Sequence, residues 1–231
     1  MAGIGPYTSL VETSAGNPLV AQVRAALTQA IAGYGKLDPE ILRLHGMSGR
    51  KYRLFINNLV GAIADARYLE VGVWLGSTLC AAVNRNRVTA LAIDNWSQFG
   101  GTPELAAATL ARFKGEATVA FLDSDFRAVD FARIGRFNLY LFDGPHTERD
   151  QYDGVCIAQP ALDDRFVLVV DDWNWAQVRA GTSKALVDLG LSLDFAAEIR
   201  TTLDNSHPPD AVWGEKGDWH NGYFIAVCAK P

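Results

Sequence analysis

Arg67-Tyr-Leu-Glu-Val-Gly-Val-Trp-Leu-Gly-Ser-Thr78 decides how the rest of the chain is read. Residues 67–72 are a short apolar run closed by glycine, and residues 77–84 return to helical spacing. A short buried strand that turns on glycine into a helix is a βα unit, and strands of this kind belong to parallel sheets covered on both faces. The same rhythm continues downstream. Strands are predicted at 88–93, 117–122, 137–142 and 166–170, with helices at 102–113, 147–159 and 175–189 between and after them. Thr102-Pro103 has the form of a helix cap followed by proline at the first helical position. Residues 193–201 and 223–229 read as two closing strands. The segment between them, 202–222, is polar and rich in Pro and Gly rather than helical, which allows an antiparallel last strand. Upstream, residues 1–16 read as a loose arm, 18–34 and 50–64 as helices, and 37–44 as a short helix. The expected architecture is a doubly wound α/β domain over 65–231, with 1–64 as an arm and helices of the same unit.

The chain has 231 residues, 49% of them hydrophobic and 20% charged. That is the length of one large domain, with the balance of a chain that buries a core. With 21 basic against 26 acidic residues the net charge is −5. No basic block offsets the excess, which disfavours nucleic acid and anionic membranes as partners. Cys80, Cys156 and Cys228 are far apart, lack zinc-site spacing, and read as buried reduced thiols. The N-terminal stretch has no signal-peptide pattern, and no apolar run is long enough to span a bilayer, so the expectation is a soluble cytoplasmic protein. Asn95-Trp96-Ser97 matches a glycosylation sequon without the secretory context that would give it meaning.

In an open parallel sheet, ligands bind beyond the carboxyl ends of the strands, where strand order reverses. Those ends are acidic throughout: Glu70 before Gly72, then Asp94, Asp123 with Ser124 and Asp125, Asp143, and Asp171 with Asp172. Aspartate is a common helix cap, but five acidic ends out of five ask for more. Gly72 and Gly76 permit a tight turn and close backbone approach by a ligand. They do not make GxGxxG, and Glu70 puts a carboxylate where a pyrophosphate would want only N–H groups. A carboxylate there suits a ligand ammonium. Asp94 stands 24 positions after Glu70, near the ~20-residue offset at which an acid reads ribose hydroxyls. S-adenosylmethionine, with a ribose and an ammonium but no pyrophosphate, fits that pair.

Leu69-Glu-Val-Gly-Val-Trp-Leu-Gly-Ser-Thr78 resembles the first motif of class I S-adenosylmethionine-dependent methyltransferases, and Asp94 resembles their ribose-binding acid. Leu141-Phe-Asp-Gly-Pro-His-Thr147, followed by Val169-Val-Asp-Asp-Trp173, is similar to a narrower branch of small O-methyltransferases that includes macrolide-sugar enzymes. The resemblance covers roughly residues 50–190 and the closing strands. It implies a Rossmann-like, seven-stranded sheet with an antiparallel last strand. It also implies that Glu70, Gly72, Gly76, Ser77, Asp94, Asn95, Trp96, Ser124, Asp125 and Asp143 surround the cofactor. The loop 123–125 would lie by the adenine, although the family's usual Gly-Asp pair is replaced there. Related enzymes carry a metal at positions matching Asp143, Asp171 and Asp172.

If the strands ending at Asp143 and Asp171 are neighbours, three carboxylates converge, and like charges need a countercharge. Mg2+, a hard cation taking oxygen ligands in an open site, fits. A cation on an alcohol oxygen lowers the hydroxyl pKa, and a nearby base then removes the proton. His146, three positions after Asp143, is the candidate base, with Asp143 beside it in the catalytic set. The competing view makes Asp143 and Asp172 helix caps, turns Asp171 to solvent, and packs His146 at a helix start.

The expected function is metal-assisted O-methylation of a small-molecule hydroxyl. The alternatives are a nicotinamide-dependent oxidoreductase, disfavoured by the missing GxGxxG, and a catalytically idle S-adenosylmethionine-binding scaffold, disfavoured by the Asp143, His146, Asp171 and Asp172 set. His45 reads as structural within a helical segment. His207 and His220, near Trp213 and Trp219, read as surface packing or a pocket cover. Trp96, Trp173 and Trp175 read as stacking groups or core rim, and Arg50 and Lys51 as a solvated face. Helices 18–34 and 50–64 have apolar surface for a homo-oligomer contact, a lid, or packing on the sheet.

Overall fold

A computed structural model describes residues 7–13, 16–208 and 217–231. Among them, eight strands form one sheet: β1 (Tyr7–Glu12), β2 (Arg67–Val71), β3 (Thr89–Asp94), β4 (Thr118–Asp123), β5 (Phe137–Phe142), β6 (Leu162–Val170), β7 (Ser192–Arg200) and β8 (Tyr223–Ala229). The helices are α1 (Pro18–Ile31), α2 (Arg50–Ala62), α3 (Ser77–Val83), α4 (Pro103–Phe113), α5 (Glu148–Ala158) and α6 (Ala176–Asp188). Strand order is β1-β7-β8-β6-β5-β2-β3-β4. Strands β2 to β6 run parallel. Strand β8 is inserted antiparallel between β6 and β7, as the polar connection before it allowed.

Two cores flank the sheet. One lies under α1 to α4 and the other under α5 and α6. All six residues of β5 are buried, because a central parallel strand has no solvent face. Each of its large apolar side chains contributes roughly 1.5–3 kcal/mol by burial. Helices α5 and α6 pack so closely that a Cβ at Gly181 would stand 2.1 Å from Glu148 O.

The seven-stranded expectation is short by one. Residues 7–12, expected within a loose arm, pair antiparallel with β7 as strand β1. The free edge of β7 offers unpaired backbone groups, and pairing satisfies both chains. Arg24 of α1 holds Glu12 at 3.0 Å, and Thr13 N donates to Asp194 O at 3.0 Å. Helix α1 starts where Asn17 Oδ1 accepts from Leu19 N, with Pro18 at the first helical position. Thr102 caps α4 in the same manner ahead of Pro103. Segment 37–44 is not a helix but a single 3-10 turn at Ile41–Arg43, after which Leu44 is extended. His45 therefore lies in a loop rather than in a helical segment. The apolar faces of α1 and α2 are consumed in the core over the sheet.

Helix α2 also carries a fully buried Arg53. Its Nη1 donates to Ile41 O at 2.7 Å and Leu44 O at 2.9 Å, and its Nε to Ser48 Oγ at 2.9 Å. The guanidinium thus ties loop 41–48 to the helix. Arg53→Met strips these acceptors of their buried donor and is expected to cost on the order of 3 kcal/mol. A urea unfolding midpoint equal to the parent's would refute that tie.

Candidate active site

Strand order reverses at β2, which has β3 on one side and β5 on the other. Beyond the carboxyl ends of these strands lies a cavity of about 540 Å3, where an open α/β sheet places its ligand. Gly72 leaves β2 with a φ of +90°. A Cβ there would stand 1.9 Å from Asp143 O, so only glycine lets the two neighbouring strand ends meet.

Gly72, Ser77, Asp94, Asn95, Trp96, Ser124, Asp125 and Asp143 line this cavity, and so do His146, Asp171 and Asp172. Glu70 and Gly76 do not. Glu70 is fully buried one side-chain row below Gly72 and accepts from Tyr68 Oη at 2.6 Å. Burial pushes its carboxyl well above the usual carboxylate range. The expectation that Glu70 meets a ligand directly is thereby corrected. Gly76 sits in the left-handed region as the cap residue of α3.

Asp94 faces the cavity, yet most of its carboxylate is committed. Oδ2 accepts from Val73 N at 2.7 Å and Trp74 N at 2.8 Å, and Oδ1 accepts from Trp96 N at 2.7 Å. Of roughly four lone-pair sites on a carboxylate, one on Oδ1 is left for a ligand. Trp96 Nε1 donates to Trp74 O at 2.9 Å and Trp74 Nε1 to Phe99 O at 3.2 Å. This lattice holds both tryptophans in a backbone conformation they resist. Seven non-glycine residues among those described have positive φ, and five of them, Trp74, Trp96, Phe99, Asp172 and His220, line the cavity. Such strain costs about 1–3 kcal/mol per residue and gathers where function requires it.

The helix-capping view of the acids fails. The cap residues are Gly76 for α3, Thr102 for α4, Thr147 for α5 and Trp175 for α6. Only Asp125 caps anything, the 3-10 turn at Phe126–Ala128. Asp123 is exposed and outside the cavity.

Strands β5 and β6 are neighbours, which brings Asp143 beside Asp171 and Asp172. Burial and the Asp172 charge push the Asp143 carboxyl up to about 8. Burial, then Asp143, raises Asp171 as well. Asp172 goes the other way. Burial opposes its charge, but His146 Nε2 at 2.6 Å from Oδ2 and a hydrogen bond from Asn221 Nδ2 to Oδ1 at 2.8 Å outweigh it. His146 is raised above its ordinary value, because Asp172 overcomes the burial that would lower it. Ligating atoms of Asp143, His146 and Asp172 lie within 4.8 Å of one another, and so do those of Asp171, Asp172 and His220.

Several site residues carried no signal in the sequence. Asn174, fully buried, accepts from Thr201 N at 2.8 Å and donates to Asn221 Oδ1 at 2.8 Å. Asn221 then orients Asp172. Asn174→Ala leaves these partners buried and unpaired, and a loss of about 2–4 kcal/mol is expected. Thermal or urea unfolding checks it, and a loss under about 0.5 kcal/mol would count against the network. Trp175 lines the cavity with the His146 ring 5.1 Å away and the His207 ring 4.8 Å away, both edge-on. Trp173 is core instead, stacked on Phe224, and Trp219 is buried. His207 and His220 both line the cavity, His207 exposed and His220 buried. Arg50 is exposed as expected, while Lys51 pairs with Asp218 at 2.8 Å. Trp213 lies outside the described residues.

A mostly parallel sheet with an inserted antiparallel strand, a glycine turn at the switch point and a cavity over it make a Rossmann-like fold. Residues 69–173 match a family model described as a methyltransferase domain. Cofactor-bound Rv0187 from MTB shares the fold at 21% identity and a TM-score of 0.51, over 91% of this chain and 89% of that one. The O-methyltransferase from Bacillus cereus in complex with SAH does so at 14% identity and 0.50, over 90% of each chain. TrmN from Thermus thermophilus does so at 18% identity and 0.52, over 83% of this chain but 52% of its own, so this chain spans about half of TrmN's length. No curated protein matches the sequence. Among the described residues, no helix is long and apolar enough to cross a membrane.

Proposed function

We propose that this chain is an S-adenosylmethionine-dependent O-methyltransferase acting on a hydroxyl of a small molecule, of the metal-assisted kind its Asp-Gly-Pro-His and Asp-Asp-Trp motifs resemble. The observation that carries this is the meeting of Asp143, Asp171, Asp172 and His146 in the same cavity as the Gly72 turn and Asp94.

S-adenosylmethionine, when bound, supplies a methyl group on a sulfonium that leaves readily. The chain's residues fit it: Gly72 clears the backbone, Asp94 Oδ1 keeps a place for a ribose hydroxyl, and Asn95, Trp96, Ser124 and Asp125 wall the same end. A divalent cation fits the donor set as well. Burial first and the neighbouring carboxyls second raise Asp143 and Asp171, and a hard cation with oxygen ligands would relieve the crowding. Asp172, common to both clusters, would hold it with Asp143 and Asp171, which stand in separate clusters here, and it would acidify the acceptor hydroxyl.

His146 takes the hydroxyl proton. Its Nε2 faces Asp172, so Nδ1 is the accepting atom and Asp172 stabilises the imidazolium that results. The cavity walls orient the acceptor oxygen for displacement, and orientation alone supplies a large share of such rate enhancements.

The test is incubation with S-adenosylmethionine and a panel of phenols, catechols and glycosides, with mass spectrometry for the gain of one methyl. O-methylated product that disappears with EDTA is expected. Cofactor binding without product from any acceptor would leave an idle binding protein, and turnover indifferent to EDTA would remove the metal alone.

A further inference from the structure

Two imidazoles face the same carboxylate at different distances. His146 Nε2 stands 2.6 Å from Asp172 Oδ2, and His220 Nε2 stands 3.9 Å from Asp172 Oδ1. The first separation is that of a direct charge-assisted contact. The second is too long for a hydrogen bond. It matches two atoms bound to one ion, because ligands each about 2.1 Å from a metal stand roughly 3–4 Å apart. Asp171 adds a third donor, and the ligating atoms of Asp171, Asp172 and His220 all lie within 4.8 Å of one another. These residues are only 4%, 4% and 7% exposed, so none is a mobile surface group.

Topology delivers the histidine. Strand β8 is inserted beside β6, and pairing continues past both strands. Trp173 N donates to Gly222 O at 3.2 Å and Asn174 N to Asn221 O at 2.9 Å. His220 is thereby fixed beside the end of β6, with its own carbonyl accepting from Thr201 Oγ1 at 3.0 Å. Asn221 donates to Asp172 Oδ1 at 2.8 Å, which leaves that oxygen a further lone pair. The two clusters that share Asp172 differ in their consequence for the reaction. A cation between His146 and Asp172 would break the contact through which Asp172 stabilises the imidazolium. A cation among Asp171, Asp172 and His220 leaves that contact whole.

We propose that His220 is a cation ligand together with Asp171 and Asp172, and that this site prefers a divalent first-row transition metal to Mg2+. The proposal rests on the cation-assisted reading of the site. Imidazole nitrogen suits cations such as Co2+, Ni2+ and Zn2+, whereas Mg2+ takes oxygen ligands and keeps its waters.

The test uses the full chain, dialysed against EDTA, loaded with SAH and titrated with Co2+ and with Mg2+ by calorimetry. Co2+ is expected to bind the parent at least ~10^2-fold more tightly than Mg2+, and His220→Gln is expected to shrink that gap at least ~10-fold. Proton NMR of the Co2+-loaded chain reads the ligand itself. A strongly shifted, exchangeable imidazole N–H resonance is expected in the parent and in His146→Ala, and is expected to vanish in His220→Gln. An unchanged Co2+ to Mg2+ ratio in His220→Gln overturns the proposal. So does a resonance lost in His146→Ala, or a parent that binds Co2+ without any such resonance; these leave an all-oxygen site or one on His146. A parent that binds neither cation removes the cation from the proposed function as well. Methyl transfer is scored separately: the expected preference and resonance without any methylated product leave the metal site standing and remove the methyltransferase function.

Discussion

His146→Ala is expected to lower turnover by roughly 10^2- to 10^4-fold, the span that a positioned general base supplies, while SAH affinity stays within about twofold. The asymmetry follows from placement. His146 stands by Asp172 and Trp175, whereas the glycine turn and Asp94 that would hold the cofactor lie on other loops. A structural role for His146 would instead move stability and cofactor affinity together. Comparable losses in SAH binding and turnover would therefore remove it as the base, and undiminished turnover would do so outright.

Asp172→Ala is expected to be at least as damaging, with turnover down about 10^3-fold or more and divalent-cation binding lost. Asp172 touches several parts of the site. It faces His146 at 2.6 Å, accepts from Asn221, and has His220 Nε2 at 3.9 Å from Oδ1. Its own backbone is held at a φ of +57°. Because Asp172 and His146 act as one unit, the double variant is expected to lose little more than the worse single variant. Losses that multiply would show two independent contributions. Calorimetric titration with Mg2+ reads the other half of the prediction, and an unchanged heat on Asp172→Ala would place the cation elsewhere.

The parts of the fold that were legible are those written in local pattern. Strand β5 and residues 166–170 of β6 are apolar runs because both faces are covered, and Gly72, Asp143, Asp171 and Asp172 mark strand ends that topology alone brings together. Strand β1 was not legible, because its six residues become a strand through a partner far along the chain, with Tyr7 opposite Arg200. Tertiary context overrides propensity in such edge pairings. Glu70 stands two positions before Gly72, a spacing that does not say on which side of the turn its carboxyl ends. The turn at Gly72 opens above it, and the glutamate stays in the row below with Tyr68. Asn174 and Asn221 form their hydrogen bond across 47 positions, and no spacing rule connects two asparagines so far apart. Trp96 reads as a stacking group or core rim, and the anchorage that it shares with Trp74 on Asp94 emerges only once β2 and β3 lie side by side.

The most direct test of the central claim, that the cavity above β2 holds S-adenosylmethionine, is calorimetric titration of the intact chain with SAH, followed by NAD on a fresh sample. One saturable SAH site per chain, competed by S-adenosylmethionine, is predicted. Binding of NAD with no heat from SAH would contradict it.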